Sequence, residues 1–436
     1  MQAKSVENIT SITTFTAEFM AFNTGRPNGP VFAASIVIIF GIIYQVVLKD
    51  ILFVTVGFRR SIQPIEDFPY VCRRIHHKLL ESCEDLWLDD KARNLYATCS
   101  DAVGRSGWSP GGSRYNTEAR RGTDHVAVLN IDEPGIDGLY GLHQLKVSKG
   151  YKSASTDGGV ELDLHGFDIQ VLNNSRLRFW MINHRPPVNY ALGEQLDAWK
   201  VGANSTIEVF ELAMGSSELE HIHTITSKAI ITPNNLIVTN DGGVLFRTLD
   251  MIFGGGSISY CGPDSQCHVA ATKDFYFPNG ITKGSDGLYY IAHSSKGKIT
   301  VHSLQEDHTL VKIDEIKLGI PVDNLSVDAE GNIFAAAFPD SIKLMLALDA
   351  PFTTAVPSTV IRIRKAGNVH NQGGGGYEIT KVLEDKHGKF LPSTTTAVHD
   401  VKTGRLFLGG IASPFITICD RSGYTSSDES TYLTQL

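Results

Sequence analysis

Short apolar stretches alternate with polar turns along most of this chain. Six segments share one order: a polar or turn group, a short apolar stretch, an Asp, Asn or Gly turn, and a second apolar stretch. They are CEDLWLDDKARNLYATCSD, LHGFDIQVLNNSRLRFWMINH, ITPNNLIVTNDGG, FPNGITKGSDGLYYIAHSS, VDNLSVDAEGNIFAAAFPD and STTTAVHDVKTGRLFLGG. Short apolar runs bounded by such turns predict β-hairpins, and no helical period longer than about two turns persists after roughly residue 85.

The spacing of these hairpins predicts a closed ring of blades. Successive copies lie roughly 40–80 residues apart and are followed by further strands such as STIEVFELAM and KGKITVHSLQ, which is typical of four-stranded blades around an axis. Turns such as GSDG, DAEG and VKTG suit hairpin tips because Gly and Asp accept the backbone angles found there. The sequence therefore predicts an all-β, six-bladed β-propeller over residues 59–420.

Three further segments lie at the ends of this pattern or interrupt it. We expect residues 1–30 to be disordered and the polar tail 421–436 to be flexible. Residues 105–122, RSGWSPGGSRYNTEARRG, interrupt the first blade and predict a mobile surface loop that is a candidate lid.

An apolar stretch precedes the propeller. No charged residue occurs from Pro27 to Leu48, and the core VFAASIVIIFGIIYQVVL is long enough to cross a hydrocarbon layer. It predicts a transmembrane helix within a membrane anchor region at residues 31–58. A buried helix is the alternative, although buried elements rarely run this far without a polar residue. A cleaved signal peptide fits less well, because no small-residue cleavage site follows the stretch.

Flanking charges and sequons bear on which side of the membrane the propeller lies. Two basic residues precede the apolar stretch and three follow it, which weakly favours a cytosolic C-terminus: Lys4 and Arg26, then Lys49, Arg59 and Arg60. Glycosylation sequons at Asn173 and Asn204 favour the lumenal or extracellular side instead. With the cysteines described next, they predict a single-pass membrane protein whose propeller is lumenal or extracellular.

Two pairs among the six cysteines are candidates for disulfides. Cys72 begins the globular part and Cys419 ends its last apolar segment, so a bridge between them would tie the two ends of a closed ring. Cys261 and Cys267 bracket the tight loop GPDSQ and could pair, with reduced thiols as the alternative.

Composition and charge narrow the partners. A charged fraction of 20% and 41 glycines are typical of a turn-rich β protein. The formal charge of -8, with no basic cluster denser than RRIHHK at residues 73–78, offers no footprint for a phosphate backbone, so nucleic acid is not expected as a partner. Because no CxxC pair or HExxH motif occurs, zinc is not indicated either.

Five of the repeats open with a residue that can offer an oxygen or imidazole ligand. These openings are Glu84-Asp85, His165, Asn240-Asp241, Asn279 and Asp323-Asn324. The innermost positions of propeller blades converge on a central channel, and hard oxygen ligands from several directions suit calcium. Carboxylates in a dry channel would repel one another, and two divalent ions would neutralise them. Ordinary Asx turns at blade starts explain one or two such residues but not a whole aligned set.

The motifs CEDLWL, LHGFDI, FWMINHRP, IVTNDGG, FPNGI and VDNLSVD resemble, in the same order, those of the paraoxonase/arylesterase family over residues of about 70–420. Together they are specific, whereas any one alone would be weak. The resemblance implies a six-bladed propeller with a catalytic and a structural calcium that acts on small-molecule lactones and aryl esters. It also implies the end-closing disulfide between Cys72 and Cys419.

The resemblance also implies roles for individual positions. Five positions match the ligands of the catalytic calcium: Glu84, Asn240, Asn279, Asp323 and Asn324. Three match the structural site: Asp85, Asp241 and the main-chain oxygen of Phe167. His165 and His184 match the proposed histidine dyad of the family.

The chemistry of such a set follows from general principles. A calcium ion with an open position would polarise a carbonyl and stabilise its oxyanion while water attacks. His165 would accept the proton of that water, because imidazole titrates near neutrality, and His184 would orient it or relay the proton. For each histidine alone, a structural imidazole is an equally good interpretation. Ser and Cys nucleophiles are not favoured, since no GxSxG motif occurs and Cys83 and Cys99 sit in apolar strands.

Two alternatives and three departures from the family remain. The alternatives are a non-enzymatic, calcium-stabilised propeller that binds a protein partner, and a gluconolactonase-like enzyme with one metal and fewer ligands. Phe338 stands where the family commonly has a polar residue, which predicts a more apolar pocket and puts phosphotriester hydrolysis in doubt. The insertion at residues 105–122 and the apolar leading segment also depart from the animal members, so substrate identity is not carried over.

Overall fold

The computed structural model describes residues 29–151, 161–173, 175–189, 191–250, 255–366, 376–391 and 393–423. The predicted disordered segment 1–30 and flexible tail 421–436 lie almost wholly outside the described residues. The chain divides into two compact units, Met1–Ile51 and Leu52–Leu436.

The described part of the first unit is helical. Helix α1 spans Gly29–Ile43 and is followed by a π-helical segment at Tyr44–Leu48. A second π-helical segment, Ile51–Thr55, leads into the second unit. Within the part of the chain that the structure covers, no helix reaches the combined length and apolarity required to cross a membrane. The predicted transmembrane helix is therefore unconfirmed.

Six sheets of four or five strands form the second unit, as expected for a six-bladed propeller. The first three blades use strands up to β18, and two short hairpins lie beside them. The strands are β1 (Tyr70–Ile75), β2 (Asp85–Asp89), β3 (Asn94–Cys99), β4 (Trp108–Ser109), β5 (Arg114–Tyr115), β6 (His125–Asn130), β7 (His143–Gln144), β8 (Lys146–Val147), β9 (Leu164–Asn173), β10 (Arg176–Arg185), β11 (Val188–Asn189), β12 (Glu194–Gln195), β13 (Asn204–Ala213), β14 (Glu218–Ile225), β15 (Leu236–Val238), β16 (Val244–Asp250), β17 (Gly255–Cys261) and β18 (Cys267–Ala271).

The remaining strands complete the ring. They are β19 (Pro278–Lys283), β20 (Tyr289–His293), β21 (Lys298–Leu304), β22 (Leu310–Lys317), β23 (Val322–Val327), β24 (Ile333–Ala337), β25 (Ser358–Lys365), β26 (Tyr377–Asp385), β27 (Thr396–Asp400), β28 (Arg405–Gly409) and β29 (Ile416–Arg421). Blades one to five have the orders β2-β3-β6-β7, β9-β10-β13-β14-β8, β15-β16-β17-β18, β19-β20-β21-β22 and β23-β24-β25-β26. The sixth blade, β27-β28-β29-β1, takes its outer strand from the start of the chain.

Apolar side chains from neighbouring blades pack against each other. Leu86 and Leu95 of the first blade share a core cluster with Phe407 and Ile416 of the sixth. Tyr96 of the first blade packs its ring against Phe179 of the second at 5.4 Å between centroids. Because successive side chains on a strand point to opposite faces, each sheet contributes to the clusters on both sides. This packing fixes the inner strands around the axis.

All six cysteines are paired. Cys72 and Cys419 are directly opposite each other in the β1–β29 ladder and form the predicted bridge between the chain ends. The open question about Cys261 and Cys267 is answered, since they also form a disulfide. The third bridge, between Cys83 and Cys99, was not predicted. It closes the β2–β3 hairpin of the first blade, whose two strands the sequence had predicted.

Four helices occur in the described residues: α1, then α2 (Ala102–Gly107), α3 (Ala198–Val201) and α4 (Ser341–Asp349). Helix α4 has nine residues, more than the two turns expected, and Asp340 caps it by accepting a hydrogen bond from the Lys343 amide at 3.1 Å. The predicted mobile loop 105–122 is instead partly buried. It holds the β4–β5 hairpin and short 3₁₀ turns at Pro110–Gly112 and Thr117–Ala119.

Candidate functional site

Buried polar residues line the inner strand of every blade. They lie at or just before the first residues of β2, β9, β15, β19, β23 and β27, where apolar side chains would otherwise be expected. The residues are Glu84, Asp85, His165, Asn234, Asn235, Asn279, Asp323, Asn324, Thr395 and Thr396. Polar groups at such depth require partners, so their contacts define the site.

Hydrogen bonds join these residues across blades. The Asn324 amide donates to the main-chain oxygen of Glu84 at 3.1 Å, and the Asn235 amide donates to Asn324 Oδ1 at 2.9 Å. Thr395 Oγ1 donates to Glu84 Oε2 at 3.2 Å. Four of the predicted ligands, Glu84, Asn279, Asp323 and Asn324, are thus buried on inner strands, and Glu84 and Asn324 are joined directly. Asn279 and Asp323 differ in keeping an oxygen without a hydrogen-bond partner among the described residues.

Burial and neighbouring carboxylates raise two carboxyl pKa values. For Glu84 the pKa lies well above its usual value, mainly because of burial and then because Asp323 is near. Burial likewise raises the pKa of Asp323, while the positive charge of Arg247 opposes the rise. Both shifts record the cost of two negative charges in a dry site. A bound cation would remove that cost.

The donor set of this oxygen cluster suits calcium. Calcium accepts six to eight oxygens from carboxylates, amides and main-chain carbonyls. The unpartnered Oδ1 atoms of Asn279 and Asp323 are acceptors of that kind. Across the ranges described, no three His, Cys, Asp or Glu side chains converge closely enough to hold a metal by themselves. The oxygen cluster instead combines two carboxylates with the amide oxygens of Asn residues.

The contacts around Asp85 do not fit a second ion. Its carboxylate accepts hydrogen bonds from the amides of Leu86 at 3.1 Å and Phe167 at 3.5 Å. It also accepts from Asn235 Nδ2 at 3.1 Å and Thr396 Oγ1 at 3.3 Å. Burial raises the pKa of Asp85 to about 7, and the two main-chain hydrogen bonds oppose that rise. Donors, not further oxygens, therefore surround this carboxylate.

The assignment of Asn240 and Asp241 to the calcium sites was wrong. Both side chains are exposed in the turn between β15 and β16. Asn240 accepts a hydrogen bond from Lys283, and Asp241 pairs with His308 at 2.8 Å. Their places in the cluster belong to Asn234 and Asn235, which precede β15 as the other polar residues precede or open their strands. Their position just before an inner strand was the sequence feature that could have identified Asn234 and Asn235.

The two predicted dyad histidines are neighbours. Their rings lie 5.3 Å apart between centroids at an interplanar angle of 68°. His165 Nε2 is 3.8 Å from Glu84 Oε1, and His184 Nδ1 lies 2.9 Å from Ser205 Oγ. Burial, followed by the charge of Arg105, lowers the pKa of His165 well below its usual value and that of His184 to about 3. Both imidazoles are therefore neutral at physiological pH.

The neighbours of His165 also indicate its tautomer. Arg105 Nη1 lies 3.3 Å from Nδ1, and Asn234 Nδ2 lies 2.9 Å from Nε2, so two donor groups face the ring. Asn234 Oδ1 has no partner in the described residues. Turning the amide of Asn234 by half a turn lets Oδ1 accept from Nε2–H while Arg105 donates to Nδ1. Both ring nitrogens then have a hydrogen-bond partner of the right kind, with the ring proton on Nε2.

The segment from α2 to β5 covers His165. A side-chain carbon added at Gly111 would lie 3.0 Å from the imidazole Cε1 and Nε2 atoms. Trp108 Nε1 donates to the main-chain oxygen of His184 at 3.0 Å, and Arg105 Nη1 donates to that of Leu164 at 2.9 Å. The segment therefore packs directly on both histidines and closes the site from solvent.

The remaining predicted positions are a buried aromatic residue and the two glycosylation sequons. Phe338 is buried beside β24, where its amide donates to Pro321 O at 2.9 Å. Asn204 is half-buried at the start of β13. The side chain of Asn173 lies outside the description. Glycosylation at both sequons stays a prediction.

Comparison with known proteins finds relatives over part of the chain. The family model described as Arylesterase matches residues 200–415. Serum paraoxonase/arylesterase 1 from Mus musculus is 30% identical over 48% of this chain and 59% of its own length. Serum paraoxonase/lactonase 3 from Homo sapiens is 25% identical over 60% of this chain and 75% of its own length. The match to the mouse relative thus spans less than two thirds of that protein.

Solved structures of propeller enzymes are also similar. A gluconolactonase from Xanthomonas campestris has a TM-score of 0.44 and 14% sequence identity, over 83% of this chain and 99% of that chain. The residues that the family model matches include the third, fourth and fifth blades. The family model and the curated relatives support the resemblance that the motifs indicated: over part of its length the chain is similar to the paraoxonase/arylesterase family.

Proposed function

We propose that this chain is a calcium-dependent hydrolase of lactones and aryl esters. The observation that carries the proposal is the buried oxygen cluster, in which Asp323 Oδ1 and Asn279 Oδ1 have no partner among the described residues. Buried acceptors without donors are costly unless a cation or water completes them. The arylesterase family match supports the reaction class.

Five residues would hold the ion: Glu84, Asn235, Asn279, Asp323 and Asn324. Asn235 replaces Asn240 of the sequence prediction. When bound, calcium supplies a fixed positive charge that polarises the ester carbonyl. The contacts of Asp85 favour one ion at this end of the channel over the two that the sequence predicted.

His165 is the proposed proton acceptor for the attacking water. It is neutral, it lies 3.8 Å from the Glu84 carboxylate, and a neutral imidazole can accept a proton. His184, next to it, would orient the ring or relay the proton. With the ring proton on Nε2, the basic nitrogen is Nδ1, and Arg105 of the covering segment must move before water can reach it.

A substrate screen tests the proposed function. Purified protein is assayed with γ-, δ- and ε-lactones of graded tail length and with phenyl acetate, in calcium and after exhaustive chelation. We expect hydrolysis that chelation abolishes and calcium restores. No hydrolysis of any substrate would contradict the proposal and favour a calcium-stabilised binding propeller. Hydrolysis unaffected by chelation would contradict the calcium requirement.

We also propose that the propeller lies on the lumenal or extracellular side of a membrane, anchored through residues 31–58. Three disulfides support an oxidising compartment, because cytosolic thiols are kept reduced. The charge-free stretch from Pro27 to Leu48 supports the anchor. Extraction of the native protein from membranes by carbonate, without detergent, would contradict it.

A further inference from the structure

A buried arginine beside the oxygen cluster has no hydrogen-bond partner for its guanidinium. Arg247 lies on β16, and its main-chain amide donates to Asn235 O at 3.2 Å. Its side chain is fully buried, and Nε, Nη1 and Nη2 all lack a hydrogen-bond partner in the ranges described. A guanidinium presents five donors in a rigid fork, so this arrangement leaves an unusually large donor capacity inside the protein.

Arg247 lies near enough to the oxygen cluster and the two histidines for its charge to act on them. Burial lowers its pKa to about 9, while the negative charges of Asp323 and Glu84 oppose that shift. Its positive charge in turn helps to lower the pKa of His165 and His184. The group is therefore still protonated at neutral pH and acts electrostatically on both the oxygen cluster and the two histidines.

The hydrogen-bonding capacity of Arg247 stays unmet when a divalent cation is present. Glu84 and Asp323, whose charges act on Arg247, would both hold the cation, and the third buried carboxylate, Asp85, takes its hydrogen bonds from other donors. Arg247 would then keep a positive charge without a counter-ion, apart from a cation–π contact in which Cζ lies 5.8 Å from the Phe277 ring. A buried charge without a partner is costly, and a guanidinium pairs best with a carboxylate through two parallel hydrogen bonds.

Arg105 adds a second cation but is better satisfied. Its Nη1 donates to Leu164 O at 2.9 Å, whereas Nε and Nη2 have no partner in the described ranges. Asp124 is half-buried nearby; burial raises the pKa of that carboxyl, and the charge of Arg105 opposes the rise. Arg105 therefore has a protein counter-charge and a role in holding the covering segment. Arg247, by contrast, has no hydrogen-bonded carboxylate among the described residues and does not hold the covering segment.

We propose that Arg247 binds a carboxylate carried by the substrate, so that the preferred substrates are lactones or esters with a free carboxylate in addition to the bond that is cleaved. This specificity rests on the proposed hydrolase function. The carboxylate would supply the missing counter-ion and the acceptors for the guanidinium. The ester carbonyl would then lie at the oxygen cluster, on the side of Glu84 and Asp323.

Matched esters test the proposal. The substrates are 4-nitrophenyl butyrate, which is neutral, and mono-4-nitrophenyl succinate, which is similar in length and anionic. Wild-type protein should prefer the succinate ester. In Arg247→Met the ratio of kcat/KM for the anionic to the neutral ester should fall by about tenfold or more, mainly through KM, because a charged hydrogen-bonded pair is lost. Arg247→Lys keeps the positive charge but cannot form two parallel hydrogen bonds to a carboxylate. It should therefore give an intermediate ratio of kcat/KM for the two esters.

An exposed arginine provides the control. Arg364 pairs with Glu378 on the surface, and Arg364→Gln should leave both rates unchanged. Arg247→Met should melt no lower than wild type, because no hydrogen bond of its guanidinium is lost. Equal loss for the two esters, no loss for either, or a clearly lower melting temperature of Arg247→Met would overturn the proposal.

A binding measurement separates this proposal from the hydrolase function. Calorimetry with succinate is performed on calcium-loaded wild type and on Arg247→Met. If neither ester is hydrolysed, the proposed function fails, and calorimetry decides the anion site alone. Binding that weakens about tenfold or more in Arg247→Met supports the site. Equal binding to both proteins, or none to wild type, overturns it.

Discussion

One amide side chain organises the oxygen cluster at the scale of single residues. Asn235 Nδ2 donates to both Asp85 Oδ2 at 3.1 Å and Asn324 Oδ1 at 2.9 Å, so it joins the first, third and fifth blades. Loss of this donor leaves the buried Asp85 carboxylate with one hydrogen bond fewer, and an unsatisfied buried group costs about 1–3 kcal/mol. The orientation of Asn324 depends on the same contact.

Replacing Asn235 should therefore weaken metal binding. We expect Asn235→Ala to lower calcium affinity by about 10–100-fold or more, because it removes a proposed ligand together with the donor that orients Asn324. The matched control is Asn240→Ala, which changes an exposed turn residue of the same blade and should leave affinity unaltered. Calcium titration monitored by calorimetry measures both. A larger effect of Asn240→Ala would restore the original sequence assignment.

Residue types and their positions predicted much of this site but not all of it. Glu84, Asn279, Asp323, Asn324 and His165 are recognisable because each opens an apolar inner strand. In the third blade, one Asn-containing pair precedes the short strand β15 and another follows it. The later pair, Asn240-Asp241, includes a carboxylate as the openings of the first and fifth blades do, whereas Asn234-Asn235 does not. Which pair faces the channel depends on the direction in which β15 runs, because the cluster lies at the starts of the inner strands. The orphaned Arg247 is not recognisable at all, because an arginine in a strand is usually exposed.

At the scale of elements, the segment between β3 and β6 controls access to His165. Its length and Gly, Ser and Arg content predicted a mobile surface loop, whereas Arg105, Trp108 and Ser109 are buried. The reason is tertiary: hydrogen bonds to the main chains of Leu164 and His184 hold the segment on the second blade. Composition alone does not reveal such long-range contacts.

Two adjacent glycines allow a test of this cover. Gly111→Ala places a methyl group 3.0 Å from the His165 ring, and Gly112→Ala meets nothing nearer than Ser109 Oγ at 3.5 Å. We expect Gly111→Ala to displace the ring or the segment and to change kcat by about tenfold, because small misplacements of reacting groups are costly. Gly112→Ala should behave as wild type. Identical rates for the two variants, in an ester assay, would mean that the segment does not position His165.

For the whole molecule, closure of the ring depends on β1 and one disulfide. Strand β1 from the start of the propeller completes the last blade, and Cys72–Cys419 spans 347 residues of sequence. Six segments with the same order of polar turns and apolar stretches were sufficient to predict the six-bladed propeller, because each blade buries its faces only against its neighbours. The Cys83–Cys99 bridge was not predicted, since only the hairpin register brings the two thiols together.

Removing the long-range bridge should destabilise the ring more than removing a short one. In the chain-entropy model, loss of Cys72–Cys419 costs on the order of 5 kcal/mol, whereas loss of Cys261–Cys267 costs about 2 kcal/mol. We expect the double variant Cys72→Ser/Cys419→Ser to lower the free energy of unfolding accordingly, measured by denaturant titration. The control is Cys261→Ser/Cys267→Ser. Equal losses would indicate that β1 alone closes the ring.

The most direct test of the central claim measures bound calcium and lactone hydrolysis together in three proteins. Wild type should contain calcium and hydrolyse lactone. Asp323→Ala removes a carboxylate of the oxygen cluster and should lose both. His165→Gln should retain calcium but lose about 10²–10⁴-fold in rate, the usual cost of removing a positioned base. Calcium bound equally by Asp323→Ala, with hydrolysis intact, would contradict the account.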